Sequence, residues 1–200
     1  MTPVLATQIL RDDHKRLTGL FRQIEAVDQR AHVMKNGVAL EIFMEIEIHS
    51  AVEEQIFYPA LIAALNAPSE RPGDRSGHHP VHKMKVELNA AMIDQSISDH
   101  REIEGLIQRL RRLPIDSTDF REGMEELEQL ITSHIEEEEQ LTFPAAEELL
   151  KEELSPLGAQ IQDMRDDLLR QPQYADSRPE VVQNPNGGEQ MRTTSGFNVA

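Results

Sequence analysis

Cysteine and tryptophan are absent from this chain of 200 residues, and its aromatic side chains are two Tyr and six Phe. Without thiols there is no disulfide, no thiolate nucleophile and no cysteine-ligated zinc. Basic residues are scarce as well: 20 Lys and Arg stand against 36 Asp and Glu, a formal charge of -16. Such a chain repels phosphate backbones and its few aromatics offer no stacking platform, so nucleic acid is not an expected partner. Long apolar runs are also missing. The longest, which includes Tyr58 to Leu65, contains Pro59 and falls far short of the roughly 20 residues of a membrane crossing. The opening MTPVLATQILRDDHKR has no basic stretch followed by an apolar one and does not read as an export signal, so the expected location is cytoplasmic. What is present, 38% apolar residues, suffices for one globular core.

Pro3, Pro59, Pro80, Pro114 and Pro144 bound long proline-free stretches in which apolar residues recur at alternating steps of three and four. That is the period of helices, not strands. The first stretch is too long for one helix, and a turn is expected near residues 28–36, with Asp28 as a cap and Asn36-Gly37 as a second break point. Residues 66–80 read as a loop, and Pro114 to Thr118 as a turn with Ser117 or Thr118 capping the next helix. Four helices fill residues 1–155. Residues 156–170 suggest a further short helix around Ile161, Met164 and Leu168, interrupted at Pro156. Residues 171–200, rich in Pro, Gly, Asn and Gln, read as a disordered tail.

The two halves of the chain repeat. DHKRLTGLFRQI at 13–24 matches DHREIEGLIQRL at 99–110, and HSAVEEQIFYPALIAAL from His49 matches HIEEEEQLTFPAAEELL from His134. The fold expected is therefore all-α: an antiparallel up-down four-helix bundle made of two copies of one helical hairpin, each burying the other's apolar stripe.

Polar residues interrupt that stripe at matched places. The seams read Leu10, His14, Leu17, Phe21, Ile24; Ile42, Ile46, His49, Glu53, Ile56, Ala60; Ile93, Ser96, His100, Ile103, Ile107, Leu110; and Met124, Leu127, Ile131, His134, Glu138, Leu141, Ala145. Each helix contributes one His, and the second and fourth add a Glu four residues later, one turn away on the same face. With the turn of each hairpin midway between its two His, all six meet at one height of the bundle. A single seam His is commonly a core histidine and a Glu in a Glu-rich helix is commonly solvated. Two buried carboxylates without partners cost several kcal/mol each. Two cations held by four neutral imidazoles and two bridging carboxylates remove that cost. Imidazole and carboxylate without thiolate suit iron or manganese better than structural zinc.

His in the first and third helices, His-x-x-x-Glu-Glu with a following aromatic-Pro in the second and His-x-x-x-Glu in the fourth resemble the hemerythrin family, in particular its HHE cation-binding group, over residues ~7–150. The resemblance implies two non-haem iron ions with an oxo or hydroxo bridge, His14 and His49 on one, His100 and His134 on the other, and Glu53 and Glu138 bridging. It also implies that the centre binds or senses dioxygen, or reacts with peroxide or nitric oxide. The chain departs from oxygen-carrying hemerythrins at Glu104, where they have a second His in the third helix, and at Glu138 and Glu139, where they use an Asp five residues after the His. Glu104 is open between a metal ligand and a boundary residue matching Thr18, and carriage of oxygen is in doubt accordingly. An enzyme consuming peroxide or nitric oxide is the alternative, followed by an iron-binding or iron-sensing protein. No catalytic residue can be assigned, and no organic cofactor site is seen. Glu54, Glu136, Glu137 and Glu139 are expected to be solvated. His32, His78, His79 and His82 are expected at the surface. Phe57, Tyr58 and Phe143 are expected to pack at the end of the site, with Tyr58 also able to donate a hydrogen bond there.

Overall fold

The computed structural model describes residues 4–28, 31–67, 90–175, 180–183 and 189–192. Its helices are α1 (Ala6–Ala26), α2 (His32–Val52), α3 (Tyr58–Asn66), α4 (Ala90–Leu110), α5 (Thr118–Glu137), α6 (Phe143–Leu149) and α7 (Leu154–Leu169). α2 runs into α3, and α5 into α6, through one π-helical turn each, Glu53–Phe57 and Glu138–Thr142. The four arms of the antiparallel bundle are thus α1, α2 with α3, α4, and α5 with α6. α1 pairs with α2 and α4 with α5, the two hairpins of the repeat. None of the described helices is long and apolar enough to cross a membrane.

The first helix ends at Ala26 and the second begins at His32, so the break between them falls within the stretch expected to turn. Asn36 and Gly37 lie inside α2, and the cap position belongs to Ala31, whose side chain has no acceptor, rather than to Asp28. These two helices are ended by the backbone leaving helical geometry at Val27 and Ala31, and are held by their apolar faces. In the second hairpin Ser117 is the cap: its Oγ accepts from the Phe120 amide at 3.1 Å. The loop expected at 66–80 lies outside the described residues from 68 onward, as do His78, His79 and His82.

The π-turns correct the seam. Proline has no N–H to continue the α ladder, and in each copy the residue before it, Tyr58 or Phe143, donates instead to the carbonyl five back, Glu53 or Glu138. One extra residue per turn advances the buried face by one position. After Glu53 the buried residues are Phe57, Tyr58 and Leu61, while Ile56 and Ala60 are half-buried. After Glu138, Thr142 and Phe143 are buried and Leu141, expected in the core, is 36% exposed. Pro59 and Pro144 neither end nor break their arms; they sit in the first turn of α3 and α6.

Two apolar clusters form the core. Leu17, Phe21, Ile42, Ile103, Ile107 and Leu127 lead one, and Leu10, Val52, Phe57, Leu61, Ile93 and Phe143 the other. Leu157 and Ile161 of α7 join the second cluster, which lays α7 along α1 and α2. Pro156 falls in the first turn of α7, where its missing N–H costs nothing, so the helix is not interrupted. The tail expected to lack structure from 171 begins with a helical turn, Pro172–Ala175, in which Tyr174 is buried against Met44 and Ile48. One aromatic anchor there outweighs the polar composition around it. Beyond it Glu180–Gln183 and Glu189–Arg192 pair as antiparallel strands, with Val181 opposite Met191.

Candidate metal centre

His14, His49, His100, His134, Glu53 and Glu138 come together between the two apolar clusters, all buried, and both carboxylates are 0% exposed. The imidazoles are paired by hairpin: His14 Nε2 stands 3.2 Å from His49 Nε2, and His100 Nε2 stands 3.0 Å from His134 Nε2. Glu53 Oε2 lies 3.3 Å from His49 Nε2 and 3.4 Å from His100 Nε2, so it reaches both pairs. Glu138 Oε2 lies 3.2 Å from His14 Nε2 and 3.5 Å from His134 Nε2, so it too reaches both pairs, from the other hairpin. Two groups of donors can each hold an ion: His14, His49, Glu53 and Glu138, and Glu53, His100 and His134.

The donor set fits a cation on its own chemistry. Glu53 Oε1 and Glu138 Oε2 are buried without a hydrogen bond; the ring nitrogens near Glu138 Oε2 lie outside hydrogen-bond geometry. Two inward-facing Nε2 atoms in contact within each hairpin call for either a proton or a metal ion between them. Burial alone would raise the Glu53 and Glu138 carboxyls. The imidazoles around them overcome it, holding Glu53 below the usual carboxylate value and Glu138 well below it. Burial likewise works to lower His49 and His134. The carboxylates beside them, Glu53 foremost for His49 and Glu138 for His134, reverse the sign and raise both.

Three of the four outer ring nitrogens face carboxylates of the described residues. Glu139 Oε1 is 3.1 Å from His14 Nδ1, Glu54 Oε1 is 2.9 Å from His100 Nδ1, and Asp13 Oδ2 is 3.4 Å from His49 Nδ1. An Nδ1–H donated to a carboxylate leaves Nε2 as the lone-pair donor facing inward and raises its basicity. Glu54 and Glu139, expected to be solvated, thus do more than that. The signal for them was in the repeat, as the second Glu of each Glu-Glu doublet.

Aromatic rings close the site at one end. Tyr58 stacks on His100 at 5.9 Å and Phe143 on His14 at 5.3 Å, the same contact made by matched residues of the two copies. Only the tyrosine has a hydroxyl, whose single proton is donated to Glu138 Oε1 at 2.7 Å, with Glu53 Oε2 a weaker second acceptor at 3.3 Å. Burial, then the two carboxylates, push its phenol well above the usual value, so it keeps its proton. Glu104 stands outside the cluster. It is exposed on the wall of a cavity of about 570 Å³ between α2 and α4, which also reaches Glu54 and His100 and is bordered by Tyr174. His32 is exposed at the start of α2.

The sequence matches the family model described as the hemerythrin HHE cation-binding domain over residues 5–146, most of the chain. The chain belongs to this family. The hemerythrin-like bundle also resembles the crystal structure of a hemerythrin HHE cation-binding domain-containing protein from Mycobacterium kansasii, with 23% identity and a TM-score of 0.63 over 86% of this chain and 96% of that one. At that identity the likeness speaks for the fold. No curated protein matches the sequence. Membership in a cation-binding family agrees with the His/Glu groups of this hemerythrin-like domain, which are of a kind that can hold metal.

Proposed function

We propose that the protein is a non-haem di-iron protein that binds or senses dioxygen or a related small oxidant. The reading rests on one observation above all: two fully buried carboxylates, each with an oxygen that has no hydrogen bond, are shared by four imidazoles whose Nε2 atoms face them. His14 and His49 would hold one ion and His100 and His134 the other, with Glu53 and Glu138 between them. Bound iron supplies the redox chemistry and open coordination positions that dioxygen, peroxide and nitric oxide require. The chain supplies the rest. Glu139, Asp13 and Glu54 fix the orientations of the His14, His49 and His100 rings, the apolar clusters on either side keep bulk water out, and the Tyr58 hydroxyl, its oxygen 2.7 Å from Glu138 Oε1, holds a proton between them.

Purified protein reconstituted with ferrous iron should hold about two irons per chain and change its visible spectrum on reduction and re-oxygenation. Protein that takes up no metal and has the same stability with and without it would end the reading.

Turnover of peroxide or nitric oxide is favoured over carriage by one feature: a proton-bearing phenol and a solvent-connected cavity both lie at the His100 side, with Glu104 on the cavity wall. Consumption of peroxide by the loaded protein, compared with Glu104→His, separates the two readings; inert behaviour in both argues for binding alone.

A further inference from the structure

Beyond the matched region lies α7, and one of its residues reaches back to the cluster. The Arg165 side chain, 11% exposed, forms an ion pair with Asp13 Oδ2 on α1, and its Nη2 stands 3.4 Å from Glu45 Oε2 on α2. Asp13 Oδ2 is the same oxygen that faces His49 Nδ1. Glu45 is buried one turn before His49 and is also met by Arg16 Nε at 3.1 Å. One guanidinium fork therefore spans the two helices that carry His14 and His49. Asp13 and Glu45 are both buried, and a buried carboxylate without a cation neutralises or turns away.

We infer that Arg165 is a positioning residue of the metal centre: it holds the Asp13 carboxylate against His49 Nδ1, and so keeps His49 Nε2 turned inward for the ion shared with His14. This rests on the di-iron reading. It makes α7 a working part of one half of the site, because the corresponding support for His100 comes from Glu54 within the bundle. Arg11, 2.9 Å from Glu139, acts on His14 in the same way, so arginine-backed carboxylates gather on the His14–His49 side. Losing an outer partner of a metal-binding histidine weakens metal binding by roughly 10- to 100-fold.

The test uses the full chain loaded with ferrous iron and follows release of each iron to an excess of chelator. In Arg165→Met one of the two irons should leave about 10-fold faster while the other keeps its wild-type rate. Arg165→Lys should recover part of the loss, since it keeps the charge without the fork. Asp13→Asn should speed the same iron, and these two milder variants carry the test if Arg165→Met does not fold. Arg170→Met, an exposed change just past the end of the same helix, should leave both rates alone. Both irons leaving faster together would show a general loosening of the fold, and unchanged rates would show no role; either result overturns the inference while wild-type protein still holds two irons. Wild-type protein that holds none removes the di-iron reading itself, and this inference with it.

Discussion

Tyr58 and Phe143 occupy the same place in the two copies, stack on equivalent histidines and differ by one oxygen. That oxygen carries one proton, donated chiefly to Glu138 and shared with the more distant Glu53, two buried carboxylates. Since the other copy packs well with Phe, Tyr58→Phe removes the donor without disturbing the shape. The expected cost is about 2 kcal/mol in metal-free protein, the usual loss when a charged acceptor is deprived of its partner. Denaturant unfolding in the presence of chelator measures it, and an unchanged midpoint would mean that the hydroxyl contributes nothing to holding the carboxylates. The six inward residues were legible in the sequence because they break an apolar period at repeated places. Glu54 and Glu139 recur in the repeat, yet each, like Asp13, lies one position off the seam and looks like any surface acid until its contact with a ring nitrogen is seen.

Helix by helix, a strict three-four step locates every buried residue of α1 and α4 that the seams named, and it fails only after Glu53 and Glu138. A π-turn adds a residue without altering composition, so periodicity alone places Leu141 on the wrong face. The prolines marked where this happens, but not which way the chain would accommodate them. α7 depends on a different local feature. Gly158 lies so close to the α1 entrance that a Cβ would run into the Val4 carbonyl oxygen and meet the Ala6 nitrogen at 3.0 Å. Both obstacles are backbone and cannot rotate away. Gly158→Ala should therefore push α7 outward and cost roughly 1–3 kcal/mol, as overpacking does, despite the better helix propensity of Ala. Thermal unfolding that shows a stabilised variant would place α7 elsewhere.

Taken as a whole, the molecule buries a charged layer between two oily ones, and that layer sets its response to pH. In chelated protein Glu53 and Glu138 are held below their ordinary values, so their contribution is complete above about pH 4.3 and is lost as pH falls through the lowered values. His49 and His134 are held above theirs, so their contribution is complete below about pH 6.5 and is lost as pH rises through the raised values. Chelated protein should thus be most stable between those limits. A metal ion needs neutral imidazoles and displaces their protons, so the stabilisation it brings should grow with pH. Melting temperatures of loaded and chelated protein should draw apart between about pH 6 and about pH 8, and a gap that stays constant would disconnect the ion from these histidines. The lone phenol also shows what joining both hairpins in one polypeptide permits. A homodimer of identical hairpins would carry two such hydroxyls or none, whereas a fused duplicate can keep one, and with it a handedness: two neighbouring histidine pairs in chemically unequal seats.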